Sequence, residues 1–215
     1  MKCHFELRFF HCKTDEVGRN VYFCRMEFHP RYTAEDFTAS LPVSDYIARF
    51  RDVERIGNYC LACPNYGRSW GCPPFRFDVG EYFAEYTSAL LVATKITPLV
   101  PNLPISDSMT LVRAERIRLE QRLLEMEHQY DGRAFTYVGS CLYCPKGTCT
   151  RTDGKPCRHP DLVRPSLEAC GFDIVRTTSE LFGIELKWGE EGRLPGYLTL
   201  VCGFFHNADN VIWNG

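Results

Sequence analysis

No stretch of this 215-residue chain is apolar for long enough to cross a bilayer: the longest strongly apolar run, Ala89–Ala93, falls far short of the roughly 20 residues a spanning helix needs. An excess of charge of one sign is also missing. Against 25 Lys and Arg stand 27 Asp and Glu, for a net charge of −2, so no global basic field points to nucleic acid. Near the start, Glu6 and Arg8 interrupt the segment where a secretory signal would be apolar, and the expected location is cytoplasmic. Internal repeats and low-complexity segments are absent, and a composition 45% hydrophobic and 24% charged excludes disorder as the main state. Neither G-x-G-x-x-G, the P-loop, H-E-x-x-H nor G-x-S-x-G occurs, which removes the common nucleotide, zinc-protease and serine-hydrolase readings. The C-x3-C-x2-C signature of radical enzymes using S-adenosylmethionine is missing too.

What the chain has in excess is cysteine, twelve in all. A domain of this size does not need disulfide staples, and a reducing compartment leaves metal coordination as the leading use of clustered thiols. Cys60, Cys63 and Cys72 form C-x2-C-x8-C; Cys141, Cys144, Cys149 and Cys157 form C-x2-C-x4-C-x7-C. Cys3, Cys12, Cys24, Cys170 and Cys202 lie outside these sets and read mainly as small packed hydrophobes.

Alternation of apolar and polar residues at Cys3–Phe9 and again at Tyr22–Phe28 predicts an N-terminal β-hairpin, residues 1–38, packed on a cysteine-rich domain of residues 39–215. Ser44 is placed to cap a helix from Asp45 to about Ile56, stopped at Gly57. A short helix near Asp78–Tyr86 leads into a buried strand, Ser88–Ile96, and Pro98, Pro101 and Pro104 mark an extended connector. The longest helix is expected from Ser108 to Tyr130, with Met109, Val112, Leu119, Leu123, Met126 and Tyr130 on one stripe and Arg116 snorkelling past it to water. A strand at Arg133–Gly139 empties into the second cysteine set. Helices are expected at Pro165–Cys170 and Ser179–Leu186, and a final strand at Gly196–Phe205. This order predicts an α/β or α+β fold: a single mixed sheet with flanking helices and two cysteine-rich metal loops.

Thiolates converge on a metal where Gly and Pro let a loop fold around it, and both sets have that composition. The widening intervals after Cys144, together with proline after Cys63, Cys72 and Cys144, favour one or two [4Fe–4S] clusters, with zinc as the alternative. Four cysteines can close a coordination shell, whereas Cys60, Cys63 and Cys72 can leave one metal position open to a substrate, or be completed by another residue. A thiolate-ligated cluster is net negative, so Arg68, Arg158 and Arg164 are the candidate cofactor-binding residues beside it. Ser166 and Glu168 fit helix capping better than catalysis.

The segment Trp70-Gly71-Cys72-Pro73-Pro74, the second set, and Cys157-Arg158-His159-Pro160 with Arg164-Pro165-Ser166-Leu167-Glu168-Ala169-Cys170-Gly171-Phe172-Asp173 resemble an uncharacterised family of predicted metal-binding proteins of bacteria and archaea, from about Cys60 to Cys202. The resemblance implies a metal or cluster held by the seven clustered cysteines and implies no particular reaction. The functional expectation is thus an iron–sulfur protein serving electron transfer, or open-site chemistry of a redox enzyme or lyase, with a redox partner or small molecule as its counterpart. The alternative is a zinc-stabilised binding module. Partners of nucleic acid or membrane are not expected, and the oligomeric state is not legible.

Overall fold

The computed structural model describes residues 31–136, 139 and 141–215, together with two short strands nearer the N-terminus. The chain divides into two units, Met1–Pro30 and Arg31–Gly215. In the first, β1 (Lys13–Thr14) pairs antiparallel with β2 (Asn20–Val21), Lys13 opposite Val21. The alternating segments expected to form a hairpin, Cys3–Phe9 and Tyr22–Phe28, lie outside the described residues.

The second unit is built on four strands: β3 (Tyr32–Pro42), β4 (Ser88–Pro98), β5 (Gly132–Phe135) and β6 (Leu198–His206). They lie in the order β3-β4-β6-β5, and all three pairings are antiparallel. The register runs Tyr32 opposite Pro98 to Pro42 opposite Ser88, then Ser88 opposite His206 to Ile96 opposite Leu198. The fold is therefore α+β, one of the two classes expected, with helices flanking a single sheet; the expectation of two cysteine-rich metal loops is corrected, since among the described residues no three potential ligands converge on one point.

Ala89 to Thr94 is a continuous buried run because helices cover both faces of the sheet. Side chains of β4 alternate between two cores, as a strand's period of two requires. Ala89, Leu91 and Ala93 enter one core with Tyr46, Phe50, Phe83, Phe172 and Phe205. Leu90, Val92 and Ile96 enter the other with Leu119, Leu123, Met126 and Phe204. The first core is aromatic, with Tyr46 stacked on Phe172 at 4.5 Å between ring centroids.

One helix was expected at Asp45–Ile56, and two are found: α1 (Val43–Phe50) and α2 (Val53–Ala62). The break has a long-range cause. Arg51 pairs with Phe172 in an isolated antiparallel bridge, flanked by Asp173 N–H to Phe50 C=O and Asp52 N–H to Gly171 C=O, both at 2.8 Å. Asp52 then starts α2 by accepting the Arg55 N–H at 3.0 Å. Helix α3 (Val79–Ala84) is capped by Asp78, which accepts from Gly80 and Glu81.

Helix α4 (Ser108–Gln129) buries Leu111, Arg116, Leu119, Leu123 and Met126. Met109, expected on this stripe, is exposed, and Arg116 is buried rather than snorkelling, with its charge set against that of Glu120. Pro165–Cys170 supplies only a 3-10 turn, Glu168–Cys170, closed by Gly171 at φ 91°. The next helix, α5 (Ile174–Phe182), starts earlier than expected because the Asp173 carboxylate accepts the Arg176 N–H at 3.0 Å. No helix among the described residues is long and apolar enough to cross a membrane.

Candidate functional site

Cys60 sits in the last turn of α2 and Cys63 caps its end, while Cys72 is buried in the turns that follow. Cys141, Cys144, Cys149 and Cys157 are all half-buried in the irregular segment after β5. None of the nine described cysteines is in a disulfide. A [4Fe–4S] cluster or a tetrahedral zinc requires three or four donors converging on one point, about 2.3 Å from the metal for zinc–thiolate bonds. Among the described residues, which include all seven clustered cysteines, no three His, Cys, Asp or Glu side chains come together so as to hold a metal ion.

Several thiols have local partners instead. The Cys60 Sγ lies 4.0 Å from the Glu168 carbonyl oxygen, and the Cys63 Sγ accepts the Asn65 N–H at 3.5 Å. The Cys144 Sγ accepts from Arg158 Nη1 at 3.7 Å, and the Cys157 Sγ accepts the His159 N–H at 3.3 Å. The expected iron–sulfur cluster and its zinc alternative are thereby corrected. With them go the cysteine-ligated electron-transfer, open-site and zinc-module readings. The residues present do not fit the group, and no chemical step is routed through it.

The three arginines assigned to a cluster sit in different surroundings. Arg68 is exposed. Arg158 bonds the Thr148 carbonyl at 2.9 Å besides the Cys144 sulfur. Arg164 forms a buried bidentate pair with Glu127, Nε to Oε1 at 2.8 Å and Nη2 to Oε2 at 2.6 Å. The residue that joins the two cysteine segments is Arg151. It donates to the carbonyls of Ser69, Cys72 and Pro74, and it shares the Trp70 ring with Arg76, their guanidinium carbons 5.2 and 5.1 Å from its centroid.

A cleft of about 1210 Å³ opens between α2, α5 and the segment before β6. Its walls are mainly apolar, from Ile56, Tyr59, Ile174, Val175, Leu186 and Trp188. Trp188 and Tyr59 are largely solvent-exposed, with 73% and 67% of their surface open. The cations of the rim are matched within the protein: Arg55 by Asp52 and Asp173, Arg176 by Glu180, Lys187 by Glu185. Cys60, Cys63 and Glu168 also line the cleft.

Glu168 is the residue that sequence reasoning placed in a cap and the fold places in a wall. Ser166 does the capping, its Oγ accepting the Ala169 N–H at 3.1 Å. The Glu168 Oε2 is buried with no hydrogen-bond partner. Burial pushes this carboxyl's pKa up, against hydrogen bonds from its own N–H and Ser166 that favour the anion. The signal for this residue lay in its apolar neighbours Leu167, Ala169 and Cys170, which leave a carboxylate on that turn with little water.

An all-antiparallel α+β domain, with an apolar cleft and a buried carboxyl in its wall, is the class these features define. The chain belongs to the DUF2284 family of predicted metal-binding proteins, whose pattern it matches over residues 48–202. No curated protein and no solved structure matches it.

Proposed function

We propose that this chain binds a small, neutral, mainly apolar organic molecule in the cleft between α2 and α5, anchored through one hydrogen-bond acceptor such as a carbonyl. The observation that carries the reading is Glu168, a residue lining a mainly apolar cleft whose Oε2 is buried with no hydrogen-bond partner. A buried polar atom left unpaired costs about 1–3 kcal/mol, and a ligand that pairs it recovers part of that cost. In its protonated form Glu168 is a donor, so the matching ligand group is an acceptor. At about 1210 Å³ the cleft is somewhat larger than the roughly 300–1,000 Å³ usual for ligand pockets, so a molecule of drug or cofactor size fits with room to spare. With the rim cations already matched by carboxylates, an anionic head group has less to gain than a neutral one.

Titration with a panel of aryl ketones and aliphatic amides, followed by Trp188 fluorescence with Trp188→Phe as the control, tests this. The expected result is saturable binding that weakens about tenfold in Glu168→Leu, the equivalent of one lost hydrogen bond of about 1.4 kcal/mol. Val175→Trp, which fills the cleft from an exposed position, should abolish it. Saturable binding unaltered by both substitutions would place the ligand elsewhere, and no binding across the panel would end the proposal.

A further inference from the structure

We propose that Cys60 and Cys63 act as a dithiol that exchanges with small organic disulfides entering the cleft. This goes beyond ligand binding and stands independently of what Glu168 anchors, because it rests on the turn that ends α2. The Cys63 N–H donates to the Cys60 carbonyl at 3.0 Å, closing a four-residue turn at the end of α2. At the end of a helix with a radius of about 2.3 Å and a rise of about 1.5 Å per residue, Cα atoms three positions apart lie roughly 5 Å from each other. Protein disulfides span roughly 4.4–6.8 Å between Cα atoms, so the two thiols can join without unwinding the rest of the helix. Both side chains line one cleft, which gives a small disulfide a route to them.

The two thiols differ in access, and that difference assigns their parts. Cys63 is exposed, open to an incoming reagent, and its sulfur accepts the Asn65 N–H at 3.5 Å. Cys60 is half-buried, with its sulfur 4.0 Å from the Glu168 carbonyl. Cys170, in the adjacent 3-10 turn, is buried and out of reach of an incoming reagent. The Cys63 thiolate therefore attacks one sulfur of the incoming disulfide, forms a mixed disulfide and expels the first thiolate. Cys60, losing its proton to solvent, attacks the Cys63 sulfur and expels the second thiolate. One disulfide is reduced to two thiols, and the protein pair is oxidised to one disulfide.

The test exposes the full chain to oxidised glutathione and maps each cysteine by mass spectrometry of proteolytic peptides. In the unaltered protein the expected product is a Cys60–Cys63 disulfide, with loss of two hydrogens and no retained glutathione on that peptide. Cys60→Ser should accumulate glutathione on Cys63, and Cys63→Ser should leave Cys60 largely unmodified. A glutathione adduct that persists on Cys63 with Cys60 intact would overturn the proposal, as would first attack at Cys60. Absence of reaction at either thiol, while Cys141, Cys144, Cys149 or Cys157 reacts, would overturn it equally. The result in the unaltered protein suffices should a variant fail to fold.

Discussion

Arg151 holds the Cys72 carbonyl, and by doing so it fastens the segment around the second cysteine set to the turns around the first. The same guanidinium bonds the Ser69 carbonyl at 2.6 Å and the Pro74 carbonyl. The planar fork serves them from two nitrogens, Nη1 for Ser69 and Cys72 and Nη2 for Pro74, whereas a lysine ammonium carries all its donors on one nitrogen. Arg151→Met should cost about 2 kcal/mol, near the value of one or two charge-assisted hydrogen bonds, and Arg151→Lys should recover little of it. Urea midpoints measure the loss, and faster proteolytic cleavage near residues 65–74 would localise it.

Low pH should weaken the fold through Asp36. Burial alone would raise the pKa of this carboxyl, but hydrogen bonds from Arg118, Thr94 and Trp213 outweigh it and hold it below the usual carboxylate range. Arg118 contributes two of them, both at 2.8 Å, so the pair ties β3 to α4. A depressed pKa means the unfolded chain takes up the proton first. The stabilisation is complete above the unfolded value of roughly 3.9 and is lost as pH falls through the lower folded value. Urea midpoints of the unaltered protein should drop across that acid window, and Asp36→Asn should be less stable at neutral pH with a shallower acid slope. A slope unchanged by the substitution would assign the acid loss to other carboxylates.

Gly132, the first residue of β5, is held against β6 so closely that a Cβ there would lie 2.4 Å from the Phe204 Cζ and 2.7 Å from the Phe205 carbonyl oxygen. The carbonyl is backbone of β6, an inner strand paired on both sides, and cannot swing aside. Gly132→Ala is therefore expected to cost about 1–3 kcal/mol, the range for forcing extra volume into a packed site. Thermal and urea unfolding should agree on the size, and a neutral effect would mean that β5 shifts along β6 freely.

Local signals were the legible ones. Asp78 before Val79, the continuous apolar run of β4, and Leu119, Leu123 and Met126 at helical spacing all correspond to what the chain forms, because each depends on neighbours within a turn or two. The split between α1 and α2 was not legible, since it is set by the bridge from Arg51 to Phe172, more than a hundred residues away. The cysteine spacing misled for a related reason. A C-x2-C step brings two thiols near each other, but convergence of three or four depends on how distant loops dock. Here sulfurs at 63, 144 and 157 find N–H donors close at hand instead. The tie that does dock the loops, Arg151 on the carbonyls of residues 69–74, uses backbone acceptors that no side-chain pattern announces.

Glu168 should act on stability with the opposite sign to Asp36. Burial raises its carboxyl pKa, so between the unfolded value of roughly 4.3 and the higher folded value the native chain keeps a proton that the unfolded chain has released. Stability then falls as pH rises through that window, and the whole penalty is present above the folded value. Glu168→Gln keeps the shape and hydrogen-bonding capacity but cannot ionise, so it should remove this slope and raise stability on the alkaline side. The comparison is a set of urea midpoints for both proteins from mildly acidic to mildly alkaline pH. Parallel curves would mean that Glu168 ionises as readily in the folded chain as in the unfolded one. The carboxyl would then be an anion in the cleft wall, and the preference for a neutral acceptor-bearing ligand would lose its physical basis.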